Sequence, residues 1–290
     1  MMVKSQKTKV IDYLIAAVCG LIIIICLLPI IHVAARSVSS PEALIRKEVL
    51  LLPKGLNFDA YVKVLGDSKY IWSLCFTAIL TIVCTFVSMC MTIFCAYPFV
   101  YKDLKGRKVL NALIIFTMYF NAGTIPNYLL LKDIGLLENP LVLILPNCLS
   151  VFNVIIMKSF FYEIPESLRE AAQIEGCGVL RTLWYVYLPL SKPVMATLAL
   201  FYAVGRWNGF SDALMFITRR RDLFPIQLLL YNLLKNVSSI EAVSEGFTAP
   251  GVSESVKAAT VMIAMVPILA VYPFLQKYFI AGVTLGGVKG

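Results

Sequence analysis

The sequence predicts an all-α fold, a polytopic membrane protein with six transmembrane helices, and three observations carry that reading. Of the 290 residues, 59% are hydrophobic and only 15% charged, with a mean hydropathy of +0.82, far outside the composition of water-soluble domains. The apolar residues collect in windows of about 20, the length that crosses a hydrocarbon core of roughly 30 Å. The basic residues are scattered through the segments between those windows.

The first window follows Lys4, Lys7 and Lys9 and runs over about 10–35. With Val33 and Ala35 it has the look of a signal peptide and its cleavage site, but it exceeds the roughly 7–15 apolar residues of a signal core, and more spans follow. An uncleaved first helix is expected, with His32 near its outer end. Further spans are expected over about 72–100, 109–131, 141–161, 194–217 and 256–280, in a single transmembrane domain covering 1–290. Six spans put both ends of the chain on one side. The turn containing Lys102, Lys105, Arg107 and Lys108 is densely basic, which assigns that side to the cytoplasm. Arg46, Lys47, Lys54, Lys63, Lys69 and the run Arg219, Arg220, Arg221 fall on the other side and weaken the rule. Pro29, Pro126, Pro146, Pro267 and Pro273 interrupt the spans, either as bends that neighbours satisfy or as breaks that line a pathway.

The formal charge of +9 comes without the basic and aromatic stripe of a nucleic-acid surface; anionic lipid and insertion orientation explain it more simply. Cys19, Cys26, Cys75, Cys84, Cys90, Cys95, Cys148 and Cys177 form no C-x-x-C pair and read as small packing residues. With one histidine, no metal site and no cofactor are expected. No phosphate-binding loop, H-E-x-x-H or G-x-S-x-G occurs, so no catalytic residue is assigned. The glycosylation pattern Asn236-Val237-Ser238 is too short to carry weight.

The most informative segment is 163–189. Pro165 suits the first turn of a helix, Glu166 the positive helix end, and Gly176 a left-handed stop. Leu168, Ala171, Ala172 and Glu175 are expected to share one face. A short helix, a turn and a second segment through Leu188 and Pro189 result, either packed on the chain's own membrane domain or gripped by a partner.

Glu170-Ala171-Ala172, Gly176, Leu188-Pro189 and Pro193 resemble the EAA loop of bacterial ABC importer permeases, a motif spread over about 24 positions. Glu175 stands where that family usually has Asp, Cys177 where Ala is usual, and Leu183 near the usual Phe. The resemblance extends to maltose-permease-like and Lpl-type carbohydrate permeases: Leu52-Pro53-Lys54-Gly55 with Tyr61 is similar to their first outer loop. Trp207-Asn208 with Asp212-Ala213-Leu214 is similar to their fifth helix, and Tyr278-Phe279, Gly282 and Val288-Lys289-Gly290 to their tail. It implies a cell-membrane complex of two homologous permease chains, two ATP-binding subunits and an extracellular or periplasmic solute-binding protein that delivers a carbohydrate. Glu170, Ala171, Ala172, Glu175, Gly176, Leu188 and Pro189 would couple this chain to the ATPase.

The expected function is therefore a non-enzymatic permease subunit working by alternating access. Alternatives are an importer permease for a non-sugar solute such as a peptide, a membrane scaffold, or an intramembrane enzyme. Arg206, Asn208, Ser211 and Asp212 are the candidate pathway residues, since charged groups in a span face a partner or a wet cavity. Asn208 and Asp212 are expected on one helical face, serving either helix packing or sugar contact.

Overall fold

The computed structural model describes residues 6–235 and 254–270. Ser5, the 236–238 pattern, Pro273, the far half of the last expected span and the tail residues Tyr278 to Gly290 lie outside them. The described helices are α1 Gln6–Ser37, α2 Pro41–Ile45, α3 Asp59–Gly66, α4 Ser68–Ala96, α5 Arg107–Tyr119, α6 Thr124–Asp133 and α7 Val151–Glu163. They continue with α8 Glu166–Ile174, α9 Val179–Thr182, α10 Leu188–Leu190, α11 Lys192–Asn208, α12 Ser211–Phe216, α13 Ile226–Lys235 and α14 over 254–270. No strand occurs among the described residues, only an isolated bridge between Ser39 and Leu56.

Among the described residues, two helices are long and apolar enough to cross a membrane unbroken: Asp12–Ser37, 26 residues, and Ser68–Val100, 33 residues. The remaining expected spans differ from continuous helices, and the differences have local causes. The 109–131 span bends by 112° between α5 and α6. Asn121 Oδ1 accepts from Gly123 N at 2.9 Å in an Asx turn, Gly123 takes φ +91, and Pro126 has no amide to carry a helix back across the turn. The 141–161 span opens as a 3₁₀ turn, Pro140–Leu143, and becomes helical only at α7, whose first turn Ser150 caps through Asn153 N; Pro146 lies in the gap. The 194–217 span stops at Asn208 and resumes at Ser211.

The chain divides into two compact units, 1–71 with 230–266 and 72–229 with 267–290. In the first, most of α1 is exposed and apolar, as with Leu21 and Ile24, which suits contact with lipid. Ala35, Ala43, Leu44 and Val49 form its small core. Arg36 pairs with Glu254, and His32 Nδ1 bonds Leu50 O, so His32 anchors the loop that follows α2.

The second unit holds the main core: Met89, Ile93, Ala96, Tyr97, Val154, Met157, Phe161, Leu183, Tyr187 and Leu198 are buried together. Its centre is aromatic. Tyr97, Phe161 and Tyr187 meet edge to face with ring centroids 5.2–6.1 Å apart, a geometry the ring quadrupoles favour. This core lies directly under the segment 166–190.

Candidate functional site

Pro165 is the cap of α8 rather than its first-turn residue, with φ −55 and ψ 133; an extended residue preceding the helix needs no amide partner inside it. Glu166 then stands at the positive helix end, as expected. Its carboxylate takes Lys102 Nζ at 2.6 Å and Arg169. The hydrogen bond from Lys102, foremost among several influences, holds it below the usual carboxylate range. At the other end Gly176 adopts φ +82. Its amide donates to Gln173 O at 3.0 Å, and Cys177 N to Ala172 O at 2.9 Å, which closes the helix as a Schellman motif.

The expected face of Leu168, Ala171, Ala172 and Glu175 is not the buried one. Ala172 is buried, whereas Leu168, Glu170, Ala171 and Glu175 are exposed. Arg169 and Ala172 face the protein instead, because Arg169 finds partners there: its guanidinium lies 5.2 Å from the Tyr101 ring centroid. Tyr101 Oη meets Tyr97 Oη at 2.8 Å, and Tyr97 donates to Val179 O at 2.9 Å. The aromatic core thus grips both α8 and the start of α9. Sequence reasoning missed this seat, although Tyr97 and Tyr101, four apart at the end of a span, were its visible trace.

The second segment, from Val179 to Leu190, contains a π turn over Leu183–Tyr187. Pro189 explains it: the ring cannot donate to the carbonyl four residues back and crowds it, and a wider turn relieves both faults. Leu188 is half-buried and Pro189 exposed. At Ser191 the chain bends by 84° into α11. The outward side of the two segments carries Ile174, Val179, Leu180, Trp184 and Tyr185, all large, apolar and exposed.

The candidate pathway residues separate into two groups. Asn208 and Asp212 do not share a helical face, because α11 ends at Asn208. Gly209 makes the break: a Cβ there would lie 3.1 Å from Gly205 O. Asn208 Nδ2 instead bonds Val204 O at 3.0 Å, one turn back on its own helix. Arg206, Ser211 and Asp212 do converge, on a cleft of about 350 Å³ also lined by Ser88, Asn147 and Tyr202. Arg206 grips Asp212 with both terminal nitrogens, Nη2 to Oδ1 at 3.0 Å, and donates to Leu143 O and Gly209 O at 3.1 Å each. Only 8% and 11% of the two side chains is exposed. Tyr202 Oη joins Thr92 Oγ1 at 2.7 Å and accepts from Ser150 N at 3.1 Å. The cleft therefore offers neutral hydroxyl and amide groups beside a charge pair whose terminal nitrogens are bonded, while the buried Arg206 Nε has no hydrogen-bond partner among the described residues.

A further cluster, not anticipated from the sequence, orders the loop after α12. Glu138, at φ +58, accepts from Thr218 N at 2.8 Å, Thr218 Oγ1 at 2.7 Å, and Arg219 N and Arg220 N at 3.1 Å. Partial removal from water, the largest single influence on this carboxyl, raises its pKa; the four hydrogen bonds together outweigh it and hold the group at about 2. Arg220 pairs with Asp222 at 2.7 Å.

Comparison with known proteins places this architecture. Residues 72–285 match the family described as binding-protein-dependent transport system inner membrane component. The polygalacturonan/rhamnogalacturonan transport system permease protein YtcP of Bacillus subtilis (strain 168) is 39% identical, over 98% of this chain and 100% of its own. Protein LplC of the same organism is 40% identical over 92% of this chain and 90% of its own. A chain from the crystal structure of a bacterial ABC transporter involved in the import of the acidic polysaccharide alginate superimposes with a TM-score of 0.88 at 33% identity, covering 96% of this chain and all of that one. The extent of these matches, and the fold they share with it, make this chain a member of the binding-protein-dependent transport system inner membrane component family.

Proposed function

We propose that this chain is one permease half of an ATP-driven carbohydrate importer, taking an oligosaccharide from a solute-binding protein and passing it by alternating access. The observation that carries the reading is the exposed two-segment knob, 166–190, seated on a buried aromatic core. Glu170, Ala171, Glu175 and Gly176 lie on its outer side with Ile174, Leu180, Trp184 and Tyr185. Large apolar side chains exposed together on one short element mark a protein contact. The partner there is a separate ATP-binding subunit, and the second permease chain completes the pathway. Leu188 and Pro189 shape the turn that holds the knob together. Arg206, Ser211 and Asp212 border the sugar pathway, with Tyr202 and Asn147 as the hydroxyl and amide donors that a polyol requires. Six spans, with both chain ends, the 102–108 turn and the knob in the cytoplasm, complete the reading.

The test is purification of the tagged chain from its own membranes, followed by ATP hydrolysis with the co-purifying receptor and a panel of acidic and neutral oligosaccharides. Co-purification of a second permease and an ATPase, with hydrolysis raised several-fold by one oligosaccharide class, is expected; stimulation by peptides alone contradicts the substrate. In a cysteine-free background, Asp133→Cys should label with an impermeant maleimide and Lys105→Cys should not; the reverse overturns the orientation.

A further inference from the structure

Beside the knob lies a second cleft, of about 740 Å³, between the end of the Ser68–Val100 span, the start of α5 and the last turns of α7. Lys102, Arg107, Lys108 and Lys158 line it with Asn111 and Tyr162, and among the described residues no aspartate or glutamate does. Lys102 is taken by Glu166. Among the described residues the other three cations form no ion pair with a carboxylate. Lys158 Nζ, half-buried, is held by Asn111 Oδ1 and the Phe99 ring. Arg107 donates to Tyr162 Oη at 2.8 Å and lies over that ring. Lys108 is exposed. Holding three cations together against neutral partners is unfavourable unless an anion completes the set. The start of α5 adds to the demand: it has no side-chain cap and no acidic residue in its first turn, where the helix dipole favours negative charge.

We propose that this cleft binds the phosphate of an anionic membrane phospholipid. The apolar surface of α5 argues for a lipid over a free anion: no α5 residue is buried, and Val109, Leu113 and Phe116 are 56–63% exposed, which offers acyl chains a path directly away from the basic groups. Arg107 has a planar fork for phosphate oxygens, and Lys108 and Lys158 supply point charge from either side. The inference rests on the membrane placement of the proposed function, with the 102–108 turn at the cytoplasmic surface, where anionic headgroups concentrate.

The experiment uses the intact, delipidated complex, titrated in detergent with phosphatidylglycerol, phosphatidylcholine or inorganic phosphate and read by native mass spectrometry. Wild type should retain phosphatidylglycerol in preference to phosphatidylcholine, and excess inorganic phosphate should not displace it. Each basic group near an anionic surface contributes roughly a factor of five, so Lys108→Gln should weaken retention about fivefold and Lys108→Gln with Lys158→Gln about thirtyfold. The Lys→Arg pair should restore it. If the double variant does not assemble, Lys108→Gln alone decides, since that side chain makes no ion pair whose loss would unfold the turn. Equal retention of both lipids, or no difference between wild type and Lys108→Gln, overturns the site; displacement by inorganic phosphate overturns the lipid and assigns a free anion. Oligosaccharide uptake by the same wild-type complex in proteoliposomes, read in parallel, separates failure of this site from failure of the transport reading.

Discussion

Arg206 and Asp212 form a largely buried charge pair in the wall of the cleft, and the consequence differs for each way of disturbing it. Asp212→Ala leaves a buried guanidinium with only two carbonyls, a loss of about 3–5 kcal/mol in comparable buried pairs. Replacing both residues with apolar ones of similar volume, Arg206→Met with Asp212→Leu, removes the uncompensated charge and should recover most of that stability. Thermal unfolding of the detergent-purified complex checks the first effect, and uptake by the double variant distinguishes two roles. Recovered stability with recovered uptake makes the pair a clamp across the α11–α12 break. Recovered stability without uptake makes it part of the sugar path. Gly209 belongs to the same device, because its missing side chain lets the chain fold back against Gly205 O and brings its own carbonyl to Arg206.

Among the elements, α8 is the one whose position has the clearest physical cause. It is only nine residues long, too short to be stable alone, so its order comes from its seat. Arg169, 13% exposed, ties it to Glu166 on its own turn and to the Tyr101 ring on the core. Arg169→Ala should loosen the element by roughly 1–2 kcal/mol, the range of a partly desolvated cation–π contact. Hydrogen exchange at the amides of 170–174 should then quicken about five- to thirtyfold; an unchanged rate would show that Arg169 does not hold the helix.

The beginning and end of α8 were legible in the sequence, since Glu166 and Gly176 are local signals with local causes. Its buried face was not, because Tyr97 and Tyr101 lie about seventy residues away in sequence and only packing brings them under Arg169. The same contrast runs through the membrane segments. Length and apolarity marked long apolar segments, but the breaks at 120–123, 144–150 and 209–210 depend on an Asx turn, a serine cap and a close glycine approach that a hydropathy window averages away. The order of the arginine run 219–221 was not legible either: the amides of Arg219 and Arg220 close on Glu138, about eighty residues away, and Arg220 pairs with Asp222.

For the whole molecule, the central claim is that work enters through the knob. The chain carries no phosphate-binding loop; on the proposed function, energy from ATP enters through a protein contact at α8, which is joined to the core that also packs α11. The geometry of Gly176 allows that claim to be tested cleanly. Its φ of +82 is strained for a β-branched residue, yet a Cβ there meets nothing within 4 Å. Substitution therefore strains the turn without a Cβ clash inside the described chain. The decisive measurement is subunit retention, receptor-stimulated ATP hydrolysis and sugar uptake on one purified complex carrying Gly176→Val. The account predicts intact pairing of the two permease chains with loss of ATPase retention, or retained ATPase whose hydrolysis no longer drives uptake. Wild-type values for all three would contradict it.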